Sequence, residues 1–240
     1  GPCRAGTPAM IRLQGVNRHF LLGEQSVQAL AQIELTIGSG EYVAVMGPSG
    51  SGKSTLLNVL GLLDRPDSGH YLLDGTDTAT LDESELARLR SHSIGFVFQS
   101  FHLIPRLSAR ENMELPLMLA GVAPIVRRRR VDELLAELGL GNRAEHKPAE
   151  LSGGQRQRVA IGRAIAMSPR LLLADEPTGN LDSHSGEEVM ALLERLNQSQ
   201  GITLVVVTHD SRLGARARRQ IRMNDGQIVL DSTAAAGPQP

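Results

Sequence analysis

Two short glycine-rich segments of the 240-residue chain combine small residues with hydroxyl groups. Residues 47–55 read GPSGSGKST, and residues 151–155 read LSGGQ. Glycines allow backbone N–H groups to curl around an anion, and the N-terminus of a following helix adds a favourable dipole. Both segments are therefore suited to bind phosphate, and the chemistry of the protein depends on how the two are used.

The first segment fits the pattern G-x-x-x-x-G-K-[ST]. A predicted buried strand, YVAVM, precedes it, and a segment with helical periodicity, STLLNVLGLL, follows it. We expect Lys53 to reach the outer phosphates of a nucleotide and Ser54 to offer its hydroxyl to Mg²⁺. The alternative is a Gly/Ser turn that matches by chance, and the flanking strand and helix disfavour it.

Two adjacent carboxylates, Asp175 and Glu176, follow the apolar segment LLLA and close another predicted strand. Ligands of parallel sheets bind beyond the carboxyl ends of the strands. We therefore expect Asp175 to orient Mg²⁺ and its waters, and Glu176 to act as general base for the attacking water. The alternative is that the pair simply caps the next turn.

Gln99 and His209 end two further predicted strands, IGFVF and TLVVVT. At the same sheet edge as Asp175, Gln99 could supply a carbonyl oxygen to Mg²⁺ and report on the γ-phosphate. His209 could donate a hydrogen bond to the γ-phosphate in either protonation state. A purely structural role is the alternative for each.

The second glycine-rich segment lies in a predicted helical region far along the chain from Lys53. Ser152 and two glycines at a helix start form another anion site. On an outlying helical arm, this site cannot bind the γ-phosphate that Lys53 holds in its own chain. The simplest arrangement pairs two chains head to tail. Each ATP then lies between residues 47–55 of one chain, the P-loop, and LSGGQ of the other chain.

The predicted elements that position these residues form an α/β chain. Apolar segments without alternation, such as LLLAD, are typical of parallel strands covered on both faces. QIRMNDGQIVL predicts a hairpin about Asn224-Asp225-Gly226. Residues from about 101 to 165 contain predicted helices and no convincing strand. We expect one folded unit, a nucleotide-binding core with an inserted helical subdomain.

Composition argues against several classes of protein. A net charge of −1 and 2% aromatic residues give no global sign of nucleic-acid binding. No apolar run approaches the roughly 20 residues of a membrane-spanning helix, so we expect the chain not to cross a membrane. The single cysteine, Cys3, excludes internal disulfides and fits a reducing compartment. The run Arg127–Arg130 is interpreted as a solvated helix face, with contact to lipid headgroups or a partner as the alternative.

In this order, the P-loop, Gln99, LSGGQ, LLLADEP, NLD (180–182) and His209 resemble the ATP-binding-cassette (ABC) ATPase family across nearly the whole chain. The resemblance implies a P-loop NTPase (RecA-like) core with a mixed sheet, an N-terminal antiparallel β part and an inserted α-helical subdomain. It implies that Glu176 polarises the attacking water and that Asp182 lies in the loop crossing the dimer. It also implies an aromatic residue that stacks on adenine, by position Phe20, where tyrosine is more usual.

A finer resemblance rests on FVFQSFHLIPRLSARENMELPLMLAG and DEPTGNLDSHSGEEVMALL. These segments are similar to the ATPases of bacterial lipoprotein-release and macrolide- or peptide-export systems. That branch implies hydrolysis of ATP with Mg²⁺, a homodimer in the ATP-bound state, an integral-membrane permease as partner and no nucleic acid. It implies a location on the cytoplasmic face of the inner membrane and export or extraction of a lipoprotein, peptide or drug-like substrate.

Three alternatives remain open. Relatives in cell division or antimicrobial-peptide resistance share PTGNLD. Soluble ABC ATPases of DNA repair or translation usually fuse two cassettes or insert a coiled coil or zinc module, which this sequence lacks. A small-molecule kinase with a P-loop would not need LSGGQ or a hydrolytic Glu176.

The expected residues fall into four groups. The catalytic residues are Lys53, Glu176 and His209, and the metal ligands are Ser54, Gln99 and Asp175. The ATP-binding residues are Phe20, Gly47, Pro48, Ser49, Gly50, Ser51, Gly52, Lys53, Ser54, Thr55, Gln99 and Asp175. The residues expected at the partner chain's nucleotide are Leu151, Ser152, Gly153, Gly154, Gln155 and Asp182.

Domain bounds and a docking surface complete the predictions. We expect an ABC ATPase domain at 10–231, with a core at 10–100 and 166–231, a helical subdomain at 101–165, and disordered tails at 1–9 and 232–240. Phe101, Leu103 and Ile104 in SFHLIPRL are expected to form an exposed groove wall for the permease. The alternative is that they pack the hinge between core and helical subdomain.

Overall fold

The computed structural model describes residues 9–23 and 25–233 of the chain. The strands are β1 (Ala9–Leu22), β2 (Gln25–Gly38), β3 (Tyr42–Met46), β4 (Ser68–Leu73), β5 (Thr76–Asp77), β6 (Ile94–Phe98), β7 (Leu171–Asp175), β8 (Thr203–Val207), β9 (Arg219–Asn224) and β10 (Gln227–Thr233). The helices are α1 (Lys53–Leu60), α2 (Glu83–Ser93), α3 (Ala109–Leu119), α4 (Pro124–Glu137), α5 (Gly153–Ile165), α6 (Ser183–Gln200) and α7 (Ser211–Gly214). They alternate as the sequence predicts for an α/β fold.

The central sheet has the strand order β10-β9-β3-β8-β7-β6. The strands from β9 to β6 pair in parallel, and β10 runs antiparallel to β9, so the sheet is mixed as expected. In register, Val207 lies opposite Val45 and Asp175, and Asp175 lies opposite Phe98. The carboxyl ends of β3, β8, β7 and β6 therefore meet at one edge, which is where ligands bind in such sheets.

Alternate side chains of the central strands pack into two separate cores. Ala44, Val206 and Ala174 belong to the core that includes α3 to α6. Val45, Val207 and Leu173 belong to the core that includes α1 and the second sheet. Because successive strand residues point to opposite faces, an uninterrupted apolar strand implies cover on both sides. That prediction is confirmed.

A second, antiparallel sheet has the order β2-β1-β4-β5 and supplies the expected N-terminal β part. Its inward residues, among them Ile11, Leu13 and Ile37, are buried against the same core as α1. The hydroxyl of Tyr71 donates to the carbonyl oxygen of Leu60 at 2.7 Å, which links β4 to the end of α1. This sheet therefore supports the helix that follows the P-loop.

Residues 101–165 contain α3, α4, α5 and short turns, and no strand, as predicted. The close approach of α5 to β6 depends on Gly95, where an added Cβ would lie 2.5 Å from the carbonyl oxygen of Ala164. One apolar core runs from α3 and α4 through α5 to the central strands. The division of the chain at 101 and 165 stays a prediction.

The expected tail bounds need a correction. Strand β1 begins at Ala9, and β10 continues to Thr233, so Ala9, Ser232 and Thr233 belong to the folded domain. Pairing with Gly38 and with β9 explains this, since the sequence at either end has little apolar pattern of its own. Residues 1–8, with Cys3, and 234–240 lie outside the described residues.

The four arginines of α4 have different environments. Arg127 contacts Glu114 at 2.8 Å, and Arg130 donates to the carbonyl oxygen of Ile165 at 3.2 Å, so both tie α4 to its neighbours. Arg128 and Arg129 are exposed, as a solvated face requires. The prediction of a solvated face therefore holds for two of the four positions. Over the described part of the chain, no helix is both long and apolar enough to cross a bilayer.

Candidate active site

A cavity of about 480 Å³ lies at the carboxyl edge of the central sheet. It brings together most of the predicted site residues, which come from the P-loop and from the ends of β6, β7 and β8. Its lining is Ala29, Gly47, Ser49, Gly50, Gly52, Lys53, Ser54, Thr55, Gln99, Asp175, Glu176, Val207 and His209. Residues separated by more than 150 positions in sequence therefore share one site.

The P-loop needs glycine at Gly47 and Gly52 for steric reasons. Their φ angles are 154° and 95°. An added Cβ would lie 2.3 Å from the carbonyl oxygen of Met223 at Gly47, and 2.4 Å from that of Ala29 at Gly52. No side chain fits at either distance, so the backbone can follow this path only with glycine. Ala29, which sequence analysis did not single out, thus shapes the loop from outside it.

Lys53 is folded back into its own loop. Its side chain is only 8% exposed, and Nζ donates to the carbonyl oxygen of Pro48 at 2.6 Å and approaches the hydroxyl of Ser51 at 3.4 Å. The hairpin turn at Gly226 supports the loop, because its N–H donates to the carbonyl oxygen of Ser51 at 3.1 Å. The positive charge therefore lies at the base of the loop that is predicted to bind phosphate.

The carboxylates at the end of β7 have different surroundings. Burial and the neighbouring Glu176 raise the pKa of Asp175 above its ordinary value, and Lys53 partly opposes them. Glu176 adopts a left-handed φ of 46°, and its N–H donates to the carbonyl oxygen of Val207 at 2.9 Å. This conformation is unusual for a residue other than glycine, and it follows directly on the last residue of β7.

Glu176 and His209 form a close pair. His209 Nδ1 lies 2.6 Å from Glu176 Oε2, and the histidine side chain is 72% exposed while that of Glu176 is 23% exposed. A carboxylate held by an imidazole has a fixed direction and can accept a proton from a positioned water. The two predicted catalytic side chains are therefore within hydrogen-bond reach of each other.

Gln99 contacts a residue whose role the sequence did not reveal. Its Nε2 donates to Asn180 Oδ1 at 3.4 Å, and Asn180 Nδ2 donates to the carbonyl oxygen of Gln99 at 3.1 Å. Gly179 makes room for this pair, because an added Cβ would lie 2.5 Å from Gln99 Nε2. The only signal in the sequence was the position of Asn180 within NLD.

The second glycine-rich segment does not line this cavity. None of the residues 151–155 is among the lining residues drawn from the described chain. Ser152 instead caps α5: its Oγ accepts from Gln155 N–H at 3.2 Å, and Gln155 Oε1 accepts from Ser152 N–H at 3.0 Å. An added Cβ would lie 3.0 Å from Leu181 at Gly153 and 3.2 Å from Ser185 at Gly154. The glycines thus allow close packing beside α6.

Asp182 caps α6. Its Oδ1 accepts from the N–H of Ser185 at 3.0 Å and its Oδ2 from the Ser185 hydroxyl at 2.7 Å. These hydrogen bonds hold the pKa of Asp182 below its ordinary value. The structure thus gives Asp182 a local role that the resemblance did not mention. Its position in a loop between two chains stays a prediction.

Phe20 lies near the end of β1 and does not line the cavity either. Its ring is 38% exposed, and the guanidinium of Arg18 lies 4.8 Å from the ring centroid. This side chain is therefore accessible, and one contact orients its ring. Stacking on adenine stays a prediction.

The loop after Gln99 is less exposed than expected. Phe101, Leu103 and Ile104 are half-buried, and Leu103 packs on the core shared with α3 to α6. These residues therefore do not form the fully exposed patch that was expected, and the packing alternative describes Leu103. Their role as a groove wall for the permease stays a prediction. Large exposed apolar side chains occur instead around the α3–α4 connection, at Met118, Leu119, Ile125 and Val126.

The predicted metal ligands fit Mg²⁺ in their chemistry. Ser54, Gln99 and Asp175 all line the cavity and offer oxygen atoms. Mg²⁺ usually takes one or two protein carboxylates and completes its shell with waters and substrate phosphates. Within residues 9–23 and 25–233, no group of three or more His, Cys, Asp or Glu side chains could hold a metal by itself. A site that depends on the nucleotide's phosphates agrees with both facts.

Comparisons with known proteins agree with this geometry. The family model described as ABC transporter matches residues 30–179. The macrolide export ATP-binding/permease protein MacB 1/2 of Paracoccus denitrificans (strain Pd 1222) is 52% identical over 238 residues, covering 98% of this chain and 35% of the relative. The probable syringafactin export ATP-binding/permease protein SyfD of Pseudomonas syringae pv. syringae (strain B728a) is 52% identical over 223 residues, covering 93% and 34%. The chain thus spans about a third of these relatives.

Solved structures agree in fold and in sequence. A dimeric post-hydrolysis state of the ATP-binding cassette MJ0796 bound to ADP and Pi has a TM-score of 0.86 and 46% identity, covering 93% of this chain and 98% of that one. The structure of cbiO1 from Clostridium perfringens, part of the ABC transporter complex cbiONQ, has a TM-score of 0.84 and 29% identity, covering 94% and 89%. The chain therefore belongs to the ABC transporter family and is an ATPase of that family.

Proposed function

We propose that this ATPase drives export by a membrane permease, and that it hydrolyses ATP as a head-to-tail dimer on the cytoplasmic face of the bacterial inner membrane. The proposal of a dimer rests on one observation: the segment 151–155 lies outside the cavity lined by Lys53. A second chain could bring its own copy of that segment to the nucleotide. The two glycine-rich segments would then serve two different ATP molecules.

In this proposal the backbone N–H groups of the P-loop bind the phosphates. The ammonium group of Lys53 leaves the carbonyl oxygen of Pro48 and donates to the outer phosphates instead. Glu176 accepts a proton from the attacking water, and His209 holds the Glu176 carboxylate and can donate toward the γ-phosphate. Ser54, Gln99 and Asp175 would hold Mg²⁺, which would supply positive charge against the phosphates. Most of the catalysis is positioning and charge stabilisation within a cavity that already exists.

The partner and substrate are inferred from the relatives. Those with the export names above are ATP-binding/permease proteins, and this chain covers about a third of them. We infer a permease of the same kind, and a substrate that is drug-like or a peptide. Extraction of a lipoprotein is the alternative within the same branch. A substrate-stimulated ATPase assay with the permease in vesicles distinguishes export from lipoprotein extraction.

Glu176→Gln tests the dimer and the base together. The change is nearly isosteric and removes a negative charge from the cavity, so ATP should bind and persist. Size-exclusion chromatography with ATP and Mg²⁺ should show a shift to dimer for this variant, and a reference run without nucleotide should show none. A Glu176→Gln chain that stays monomeric with bound ATP contradicts the proposed dimer.

A further inference from the structure

Gln157 is a fully buried polar residue in the second turn of α5, and the chemistry above does not use it. Its side chain is 0% exposed. Nε2 donates to the carbonyl oxygen of Pro177 at 2.6 Å and to that of Phe98 at 3.2 Å. Pro177 directly follows Glu176, and Phe98 directly precedes Gln99. One amide group therefore touches the backbone beside both residues.

These contacts lie where the sheet no longer holds the two segments together. The ladder between β6 and β7 ends at the pair Phe98 and Asp175. Beyond it, the backbone takes unusual turns, with left-handed φ angles of 46° at Glu176, 59° at Phe101 and 48° at His102. Such conformations persist only when surrounding contacts impose them. Arg163 holds the carbonyl oxygens of Phe101 and His102. The Gln157 amide contacts both segments at once, at Phe98 and at Pro177.

The orientation of the amide follows from its partners. Two carbonyl oxygens face it, and only the NH₂ end of a glutamine can donate to both. Its Oε1 is buried and accepts no hydrogen bond from the protein atoms described. Gln157 thus serves as a double donor that fixes the separation between the end of β6 and the turn after β7.

We propose that Gln157 is a positioning residue for ATP hydrolysis, which sets the spacing of Gln99 and Glu176 across the cavity. The inference rests on the proposed roles of Gln99 and Glu176. A shift of either side chain relative to the γ-phosphate would slow the chemical step and leave the P-loop, which holds most of the nucleotide, intact. Gln157 itself does not touch the substrate.

The test compares Gln157→Met in the full chain with Asn112→Leu. Methionine keeps the length and removes both donors. Asn112 is a matched control, because it is also 0% exposed and its Nδ2 lies within hydrogen-bond distance of three carbonyl oxygens. They belong to Ile104, Leu107 and Ser108, none of which adjoins Gln99 or Glu176. Both variants should lose thermal stability. Only Gln157→Met should lower kcat, by about tenfold or more, with the KM for ATP changed less than twofold.

Three results would overturn the proposal: an unchanged kcat in folded Gln157→Met, a KM that rises by the factor by which kcat falls, or an equal loss of kcat in Asn112→Leu. If Gln157→Met does not fold, Gln157→Ala leaves room for water at the two carbonyls and should show the same loss of kcat. Glu176→Gln and Gln99→Ala are measured in parallel. If those two retain full turnover, the proposed function fails; if they lose it and Gln157→Met does not, only this inference fails.

Discussion

Lys53 shows how a single side chain can be prepared for its ligand. In the structure its ammonium group donates to the carbonyl oxygen of Pro48, within the loop that would receive the phosphates. A buried ammonium group needs such a partner. In the proposed binding mode, nucleotide would replace one acceptor of the lysine with a charged one, and charge-assisted hydrogen bonds to phosphate are the stronger kind.

Lys53→Ala should weaken ATP binding by about a hundredfold or more, since it removes a charged donor from the phosphates. Titration with a fluorescent ATP analogue measures the affinity, and circular dichroism checks that the fold is kept. Lys147→Ala removes the same charge from the turn before the segment 151–155 and should bind ATP like the unaltered chain. Equal affinities for Lys53→Ala and Lys147→Ala would refute the P-loop assignment.

His209→Ala should lower kcat about a hundredfold, because Glu176 loses the group that orients its carboxylate. His209→Gln, which keeps a donor, should recover part of the loss. His184→Ala is the matched control, since His184 forms an exposed pair with Glu188 at 3.5 Å on α6. Phosphate release under saturating ATP measures all three, and wild-type turnover in His209→Ala would rule out the role given to the pair.

At the scale of elements, the sequence predicted the strands that carry the site and missed the contacts between them. Apolar segments such as LLLAD identify buried strands, and parallel packing then places Gln99, Asp175 and His209 at one edge. Strand β4, with the sequence SGHYLL, has too few apolar residues to be recognised, and it forms because β1 pairs with it. The links of Asn180 and Gln157 depend on tertiary packing, which no local pattern specifies.

Arg219 links three strands near the end of the domain. It is 8% exposed and donates to Asp231 on β10 at 2.6 Å and 2.8 Å, to Glu41 at 2.9 Å, and to the carbonyl oxygen of Thr36 on β2 at 2.7 Å. The hydrogen bonds from Arg219 hold the pKa of Asp231 below its ordinary value. A carboxylate with a lowered pKa stabilises the fold above its unfolded-state pKa, and this contribution disappears as the pH falls through the folded-state pKa.

Asp231→Asn should therefore lower the thermal midpoint at pH 7, and the difference from the unaltered chain should shrink as the pH falls below the ordinary value of 3.8. Melting curves followed by circular dichroism between pH 7 and the acid limit of folding measure this. Glu83→Gln breaks the exposed pair with Arg65 and should change the midpoint little at any pH. A constant difference for Asp231→Asn across the range would contradict the assigned ion pair.

At the scale of the whole molecule, the composite site is the proposal with the most consequences. A lesion at the start of α5 should damage the site of the other chain and leave nucleotide binding in its own chain intact. Gly153→Asp fits this test, because it adds a negative charge to the segment that is proposed to meet the nucleotide of the other chain. Ser152→Arg offers a second lesion of opposite charge.

Gly153→Asp should abolish hydrolysis while the monomer binds ATP normally. Mixing it with Lys53→Ala chains gives mixed dimers whose two sites differ: one combines an intact P-loop with an intact LSGGQ, and the other carries both lesions. Some phosphate release should therefore return on mixing, up to about half of the unaltered rate if the sites act independently. If Gly153→Asp loses ATP affinity as Lys53→Ala does, both segments serve one nucleotide and the dimer proposal is wrong.

Helix α5 carries a consequence for timing. It begins at the capped segment 151–155, and one turn later Gln157 pins it to the strand ends of its own chain. In the proposed pair, each such helix would belong to both reaction centres, with its tip at one ATP and its second turn beside the other. The two reactions would then not proceed independently of each other. Completion of one reaction would alter the geometry of the other centre, so the rate at each site would depend on the state of the other.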